Sequence, residues 1–344
     1  HGGCGKTSLA EAMIYITGGS DRLGRVEDGN TVSDYDAEET KRGFSLSASL
    51  LNTTWKDCKI NIIDAPGYLD FVGEAQQALR VADSAVIVVD GKAGIEIGTE
   101  LAWHYADSAN LPRAFFINKF DDNDARFAHV LDSLHVTFGK HICPLTIPMV
   151  KDGVVTGCID LIEQNAHVFD KNGRHSVEII PEESMEAVEK YRDMLMEAVA
   201  STDEELMMKY FEGEEITHME AINAVHEGII HGDIVPVFCG AATKMWGVKT
   251  LLDTIDEKHK EDGFDLDFMK KKFRASGWDN PENWEMLRHE WSTAIDKRIQ
   301  QQKADAVNKN KTFTTQHLDR QFALMENLKT EGMQEEQAMQ AWEM

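Results

Sequence analysis

No run of about eighteen apolar residues occurs in this 344-residue sequence, so no membrane-spanning helix is expected. Cysteine is scarce: Cys4, Cys58, Cys143, Cys158 and Cys239 form no CxxC pair, and no histidine cluster joins them at metal-ligand spacing. That scatter argues against a zinc site or a disulfide framework and suits a reducing cytoplasm. Positive charge is short as well. With 35 Lys and Arg against 60 Asp and Glu, the formal charge is −25. Broad adhesion to DNA, RNA or anionic lipid needs a basic face that releases counterions, and this balance does not supply one. Any RNA contact has to be local. The chain also lacks an ordinary start: His1 falls inside a glycine-rich motif, so no signal peptide can be read and further residues are expected upstream.

What is present begins with length, enough for two or three domains that each bury a core. Short apolar runs at residues 59–63, 85–89 and 113–117 alternate with amphipathic stretches, the β-α-β pattern of a parallel sheet. Between residues 69 and 82, Phe71, Val72, Ala75, Ala78, Leu79 and Ala82 recur at three- and four-residue spacing. This predicts a helix packed on the sheet. Another helix is expected over 123–138. Beyond it, Lys-Asp-Gly within 150–160 and Asp-Lys-Asn-Gly within 168–180 sit between apolar runs and predict two hairpins. An acidic helical stretch fills 181–232, and residues 234–238 return to a buried-strand pattern. The order reads as an insertion: residues 1–143 and 234–255 form one domain, and 144–233 an inserted α+β subdomain. From 256 to 344 the strand-like runs disappear, while Trp284, Leu287, Trp291 and Ile295 share one helical face. A helical tail of unassigned role is expected there.

Three motifs carry chemistry. His1-Gly2-Gly3-Cys4-Gly5-Lys6-Thr7 matches a phosphate-binding loop lacking only its opening glycine. Glycines let successive amides converge on phosphate oxygens, and the following helix N-terminus adds a favourable dipole. Lys6 then reaches the β- and γ-phosphates while Thr7 ligates Mg²⁺. Asp64-Ala65-Pro66-Gly67 follows an apolar strand, where the acid can hold water on Mg²⁺ and the Gly67 amide can meet the γ-phosphate. Asn118-Lys119-Phe120-Asp121 also ends a strand. Asp121 there accepts from N1–H and the 2-amino group of guanine, two donors that adenine lacks, with Asn118 and Lys119 bracing the base.

These motifs, in this order, resemble the first domain of elongation factor G over residues 1–249, and more closely its elongation-factor-G-like relatives in bacteria. Ser8-Leu9-Ala10-Glu11-Ala12, Asp34-Tyr35-Asp36, Lys41-Arg42-Gly43-Phe44-Ser45 and Val237-Phe238-Cys239-Gly240-Ala241-Ala242 carry the resemblance beyond the motifs. It implies an α/β fold, a P-loop GTPase with a doubly wound, mainly parallel sheet, an inserted α+β subdomain, GTP/GDP and Mg²⁺ as ligands, and the ribosome as partner, with no membrane or DNA role. It implies that Ser45 stands where the family has Thr, closing over Mg²⁺ with Thr7 and Asp64. Ser45 opening a strand over 45–51 is the alternative. Tyr68 stands where elongation factor G has the His that orients the attacking water, so Tyr68, Lys6 and Gly67 form the implied catalytic set. Tyr68 as a mere packing residue is the alternative. Gly240, Ala241 and Ala242 complete the guanine pocket through a backbone N–H to O6, with Ala241 replacing the usual Ser. Nothing after residue 255 resembles the family's later domains, so translocation by this chain alone is not expected. A non-hydrolysing GTP-responsive module and an inactive fragment are the competing expectations.

Overall fold

The computed structural model describes residues 1–257 apart from 57, 140, 153, 170–174 and 215. The expected tail over 256–344, with its Trp284 and Trp291 face, therefore lies outside the described residues except for its first two positions. Helix α1 (Lys6–Ile16) follows the glycine-rich loop directly. Helix α2 (Ala37–Arg42) is a single short turn-and-a-half set by a reciprocal cap, Asp36 with Glu39, and stopped by Gly43. Strands β1 (Ser49–Trp55) and β2 (Cys58–Asp64) pair antiparallel from Ser49↔Asp64 to Trp55↔Cys58. Then come α3 (Val72–Val81), β3 (Ala85–Asp90), α4 (Ile97–Ser108), β4 (Arg113–Asn118), α5 (Phe127–Phe138) and β5 (Ile142–Pro144).

The antiparallel strands β6 (Thr146–Lys151), β7 (Val154–Asp160), β8 (Asn165–Phe169) and β9 (His175–Glu178) form a second, four-stranded sheet. Both predicted hairpins are in it. Helices α6 (Met185–Ala200), α7 (Glu204–Glu212) and α8 (His218–His231) account for the acidic stretch. Strand β10 (Val235–Cys239) then returns to the first sheet, whose order is β3-β4-β10-β5 with every neighbour parallel, and α9 (Val248–Glu257) closes the described chain. Continuous apolar stretches such as Phe115-Phe116-Ile117 and Val237-Phe238-Cys239 are fully buried, as strands covered on both faces must be. One hydrophobic cluster runs from Leu9 and Phe116 through Ile147 and Ile159 to Leu195, so the two sheets share a core. Among the described residues no helix is long and apolar enough to cross a membrane.

Four expectations are corrected. β2 pairs only with β1 rather than joining the parallel sheet, because no described strand bonds its other edge or the outer edge of β3. Helix α3 keeps the expected spacing, yet its apolar face is only half-buried and none of its residues is fully buried. α5 starts at Phe127 rather than 123, because Ala125 N–H turns back to Asp122 O and Arg126 N–H to Gly91 O. Strand β1 starts at Ser49, leaving Ser45 outside it.

Candidate nucleotide-binding site

The glycine-rich loop ends on Gly5 in the left-handed region (φ 90°), which caps α1 without a side chain. A Cβ at Gly5 would lie 2.4 Å from Asn118 Nδ2, so glycine is required on steric grounds as well as for its φ. The first amides of α1 have no partners within the helix and point into the loop, the arrangement that holds anions. Lys6 folds back over this loop and its Nζ donates to His1 O at 2.8 Å. Burial pushes the Lys6 ammonium below its ordinary range, while the Asp64 and Asp34 charges oppose that shift. Cys4 is buried beneath the loop, where its thiol meets Glu96 Oε2 at 3.5 Å.

At the other side of Lys6 a set of oxygens converges. Thr7 Oγ1 and Ser45 Oγ are 3.2 Å apart, and Ser45 Oγ donates to Asp34 Oδ1 at 2.7 Å. Asp64, 4% exposed at the end of β2, accepts from Ser33 Oγ at 2.6 Å. Burial raises both Asp34 and Asp64, and the Lys6 charge works against it in each. The sequence motifs point to Thr7, Ser45 and Asp64, and the sequence analysis gives Ser33 and Asp34 no role of their own at this site. It also passed over Glu11, which is 0% exposed in α1 and whose Oε1 accepts from Val32 N–H at 2.7 Å and Ser33 N–H at 3.2 Å. The signal for Glu11 was legible in principle: a charged residue on the inward face of an apolar helix is costly unless it has partners.

Two hydroxyls and two carboxylates are hard oxygen donors, the type that suits Mg²⁺. No group of three or more His, Cys, Asp or Glu forms a metal cage among the described residues.

Gly67 lies against Lys6: a Cβ at Gly67 would stand 2.1 Å from Lys6 Nζ and 2.5 Å from His1 O. Only glycine lets the strand-end loop come so close to the phosphate loop. Tyr68, 43% exposed, covers the same loop from outside. Its nearest ring atom lies 3.0 Å from where a Gly2 Cβ would be, and its ring centroid is 4.6 Å from that of Phe44 at 53°.

The glycine-rich loop and the loops after β4 and β10 meet at Asn118, which is 2% exposed. Its Nδ2 donates to Cys4 O at 3.0 Å and its Oδ1 accepts from Ala242 N–H at 2.9 Å, so one amide ties the glycine-rich loop to the loop after β10. Phe120 N–H donates to Gly240 O at 3.1 Å, adding a backbone tie. Lys119 takes φ 69° and its Nζ pairs with Asp90 at 2.7 Å. Burial acts to raise the Asp90 carboxyl, but the Lys119 ammonium and the Ala93 and Lys92 amides outweigh it and hold Asp90 low. Asp121 is exposed and accepts from Thr243 Oγ1 at 3.0 Å. The amides of Gly240, Ala241 and Ala242 donate to Ile117 O, Trp246 O and Asn118 Oδ1.

The structure thus gathers Lys6, Thr7, Ser45, Asp64 and Gly67 at one end and Asn118, Lys119, Asp121 and residues 240–242 at the other. Gly3, Cys4, Gly5 and Ser8 lie in the loop and first turn between them. A parallel α/β sheet with a phosphate loop opening its first described helix defines the P-loop nucleotide-binding class.

Residues 1–261 match the family described as the elongation factor Tu GTP binding domain, and the chain belongs to that family of translational GTPases, which hydrolyse GTP. The crystal structure of a protein from Thermus thermophilus is similar over 74% of this chain, with 36% identity and a TM-score of 0.70. The present chain spans 38% of that protein's chain.

Proposed function

We propose that this chain acts in the cytoplasm as the GTP-binding and GTP-hydrolysing domain of an elongation-factor-G-like factor working at the ribosome. The single observation that carries the reading is Asn118, whose amide joins the phosphate loop at Cys4 to the base loop at Ala242. Phosphate and base recognition are thereby built at a fixed separation, as a nucleoside triphosphate requires. In this reading Lys6 and the loop amides hold the β- and γ-phosphates, and Lys6 exchanges its present acceptor, His1 O, for phosphate oxygen. Thr7, Ser45 and Asp64 hold Mg²⁺, which neutralises developing phosphate charge when bound. Gly67 N–H meets the γ-phosphate, and the Tyr68 hydroxyl holds the attacking water in line. Asp121 accepts from N1–H and the 2-amino group of guanine, and a backbone amide of residues 240–242 meets O6. Residues 144–233 serve as an inserted subdomain on the side of the base loop, where Thr146 Oγ1 accepts from Cys239 N–H at 2.8 Å.

The test is a titration with a ribose-labelled fluorescent GDP, competed by GTP and by ATP, followed by phosphate release with and without ribosomes. GTP competing far better than ATP and release that rises with ribosomes are expected. Equal competition by ATP refutes guanine recognition, and release indifferent to ribosomes refutes the ribosomal role.

A further inference from the structure

We propose that Thr243 is a positioning residue for guanine specificity: its hydroxyl sets the plane of the Asp121 carboxylate across two loops that lie 122 residues apart in the chain. The inference rests on the reading of Asp121 as the group that reads the base. Thr243 Oγ1 lies 3.0 Å from Asp121 Oδ2, and a carboxylate only accepts, so the hydroxyl is the donor.

The hydroxyl stands on a braced turn. Residues Ala242–Lys244 form one 3₁₀ turn, with Lys244 N–H on Ala241 O at 2.9 Å and Met245 N–H on Ala242 O at 3.0 Å. Ala241 and Trp246 exchange two backbone bonds, 3.2 and 3.1 Å, that close the loop behind it. Ala242 N–H is pinned to Asn118. On the other side, Phe120 N–H is held by Gly240 O, Asp122 N–H by Lys119 O, and Lys119 Nζ by Asp90. Both backbones are thus fixed by bonds that involve neither the Thr243 hydroxyl nor the Asp121 carboxylate.

What those backbone bonds leave loose is the terminal torsion of Asp121, an sp³–sp² rotation with a broad, roughly two-fold profile. Reading two parallel donors on one base edge requires both carboxylate oxygens in the plane of that edge. One hydrogen bond to Oδ2 sets that torsion and still leaves Oδ1 and a second lone pair of Oδ2 for the base. Valine keeps the shape of threonine and removes the donor, while serine keeps the donor. Because both residues are exposed, neither change threatens the fold.

The experiment measures GDP, IDP and ADP affinities by competition against ribose-labelled GDP for wild type, Thr243→Val and Thr243→Ser. IDP keeps N1–H and O6 and lacks only the 2-amino group. Thr243→Val is expected to lose about 3- to 10-fold in GDP affinity, the worth of one ordinary hydrogen bond, with the GDP-to-IDP ratio falling towards one. Thr243→Ser is expected to restore the ratio, and thermal midpoints are expected to stay together. A wild type that does not prefer GDP to ADP overturns the base-reading role of Asp121 itself. A wild type that does prefer GDP, with an unchanged GDP-to-IDP ratio in Thr243→Val, overturns the Thr243 proposal alone. Equal losses for GDP and IDP do the same.

Discussion

The Asn118 side chain donates to the Cys4 carbonyl at 3.0 Å across 114 residues, and its other amide atom accepts from Ala242 at 2.9 Å. Asn118→Ala leaves a buried carbonyl and a buried N–H without partners. Each orphaned group costs about 1–3 kcal/mol, so a loss of about 2–6 kcal/mol in unfolding free energy is expected in a urea titration. Nucleotide affinity is expected to fall more than tenfold, because the phosphate and base loops lose their common anchor. A variant as stable as wild type would show that water replaces the amide and that the tie is dispensable.

Glu11 makes a prediction of a different kind. Its Oε1 accepts from the Val32 and Ser33 amides, and Ser33 in turn holds Asp64, so a residue behind the phosphate loop anchors the segment carrying Ser33 and Asp34. Its Oε2 is buried with no hydrogen-bond partner among the described residues, and a Cβ on Gly24 would stand 2.1 Å from it, so only glycine fits beside the carboxyl at position 24. Glu11→Ala is expected to speed hydrogen exchange at Val32 and Ser33 by one to two orders of magnitude while leaving α4 and β4 protected, the signature of local opening. Exchange that rises uniformly would place Glu11 in global stability instead.

Much of this was legible in the sequence. The runs around residues 85–90, 113–118 and 235–239 became parallel strands because uninterrupted apolar stretches can only be buried on both faces. The glycine-rich loop, Asp64, Asn118 and Asp121 stand out as candidates because glycine, acid and amide at strand ends have few other uses. Ser33, Asp34, Glu11 and Thr243 were not read, since each acts through a partner 11 to 122 residues away and no spacing rule reports such pairs. The start of α5 was misplaced because Asp122, Asp124 and Arg126 belong to a turn tied to Gly91 and Lys92, a tertiary constraint that local helical pattern cannot contain. Ser45 lies outside the strand, and its hydroxyl meets Thr7 and Asp34.

Thiol chemistry offers a direct check on burial. Cys4, Cys143, Cys158 and Cys239 are buried and Cys58 is half-buried. Burial pushes the Cys143 thiol up to about 12 and raises Cys4 and Cys239 as well, which disfavours the thiolate, the reactive form, at each. An aromatic disulfide reagent at pH 8 is expected to modify one thiol in the native protein, none in Cys58→Ser, and all five in denaturant. Rapid native modification of a second site would show that the phosphate loop opens to expose Cys4.

Tyr68 separates packing from chemistry. Its ring lies over Gly2 and against Phe44, next to Ser45, whereas its hydroxyl is the only part able to hold a water by hydrogen bonding. Tyr68→Phe keeps the ring and removes the hydroxyl, so GDP affinity is expected to stay within about twofold, since no direct contact with nucleotide is lost. If water orientation runs through the hydroxyl, single-turnover phosphate release falls by about tenfold or more in that variant, a modest share of what a positioned polar group contributes. Tyr68→Ala also removes the support under Phe44 and frees the segment carrying Ser45, so it is expected to weaken GTP binding more than GDP binding. Equal turnover in wild type and Tyr68→Phe, with slower turnover in Tyr68→Ala, would assign the residue to loop closure alone and leave the water to Gly67 and the γ-phosphate itself.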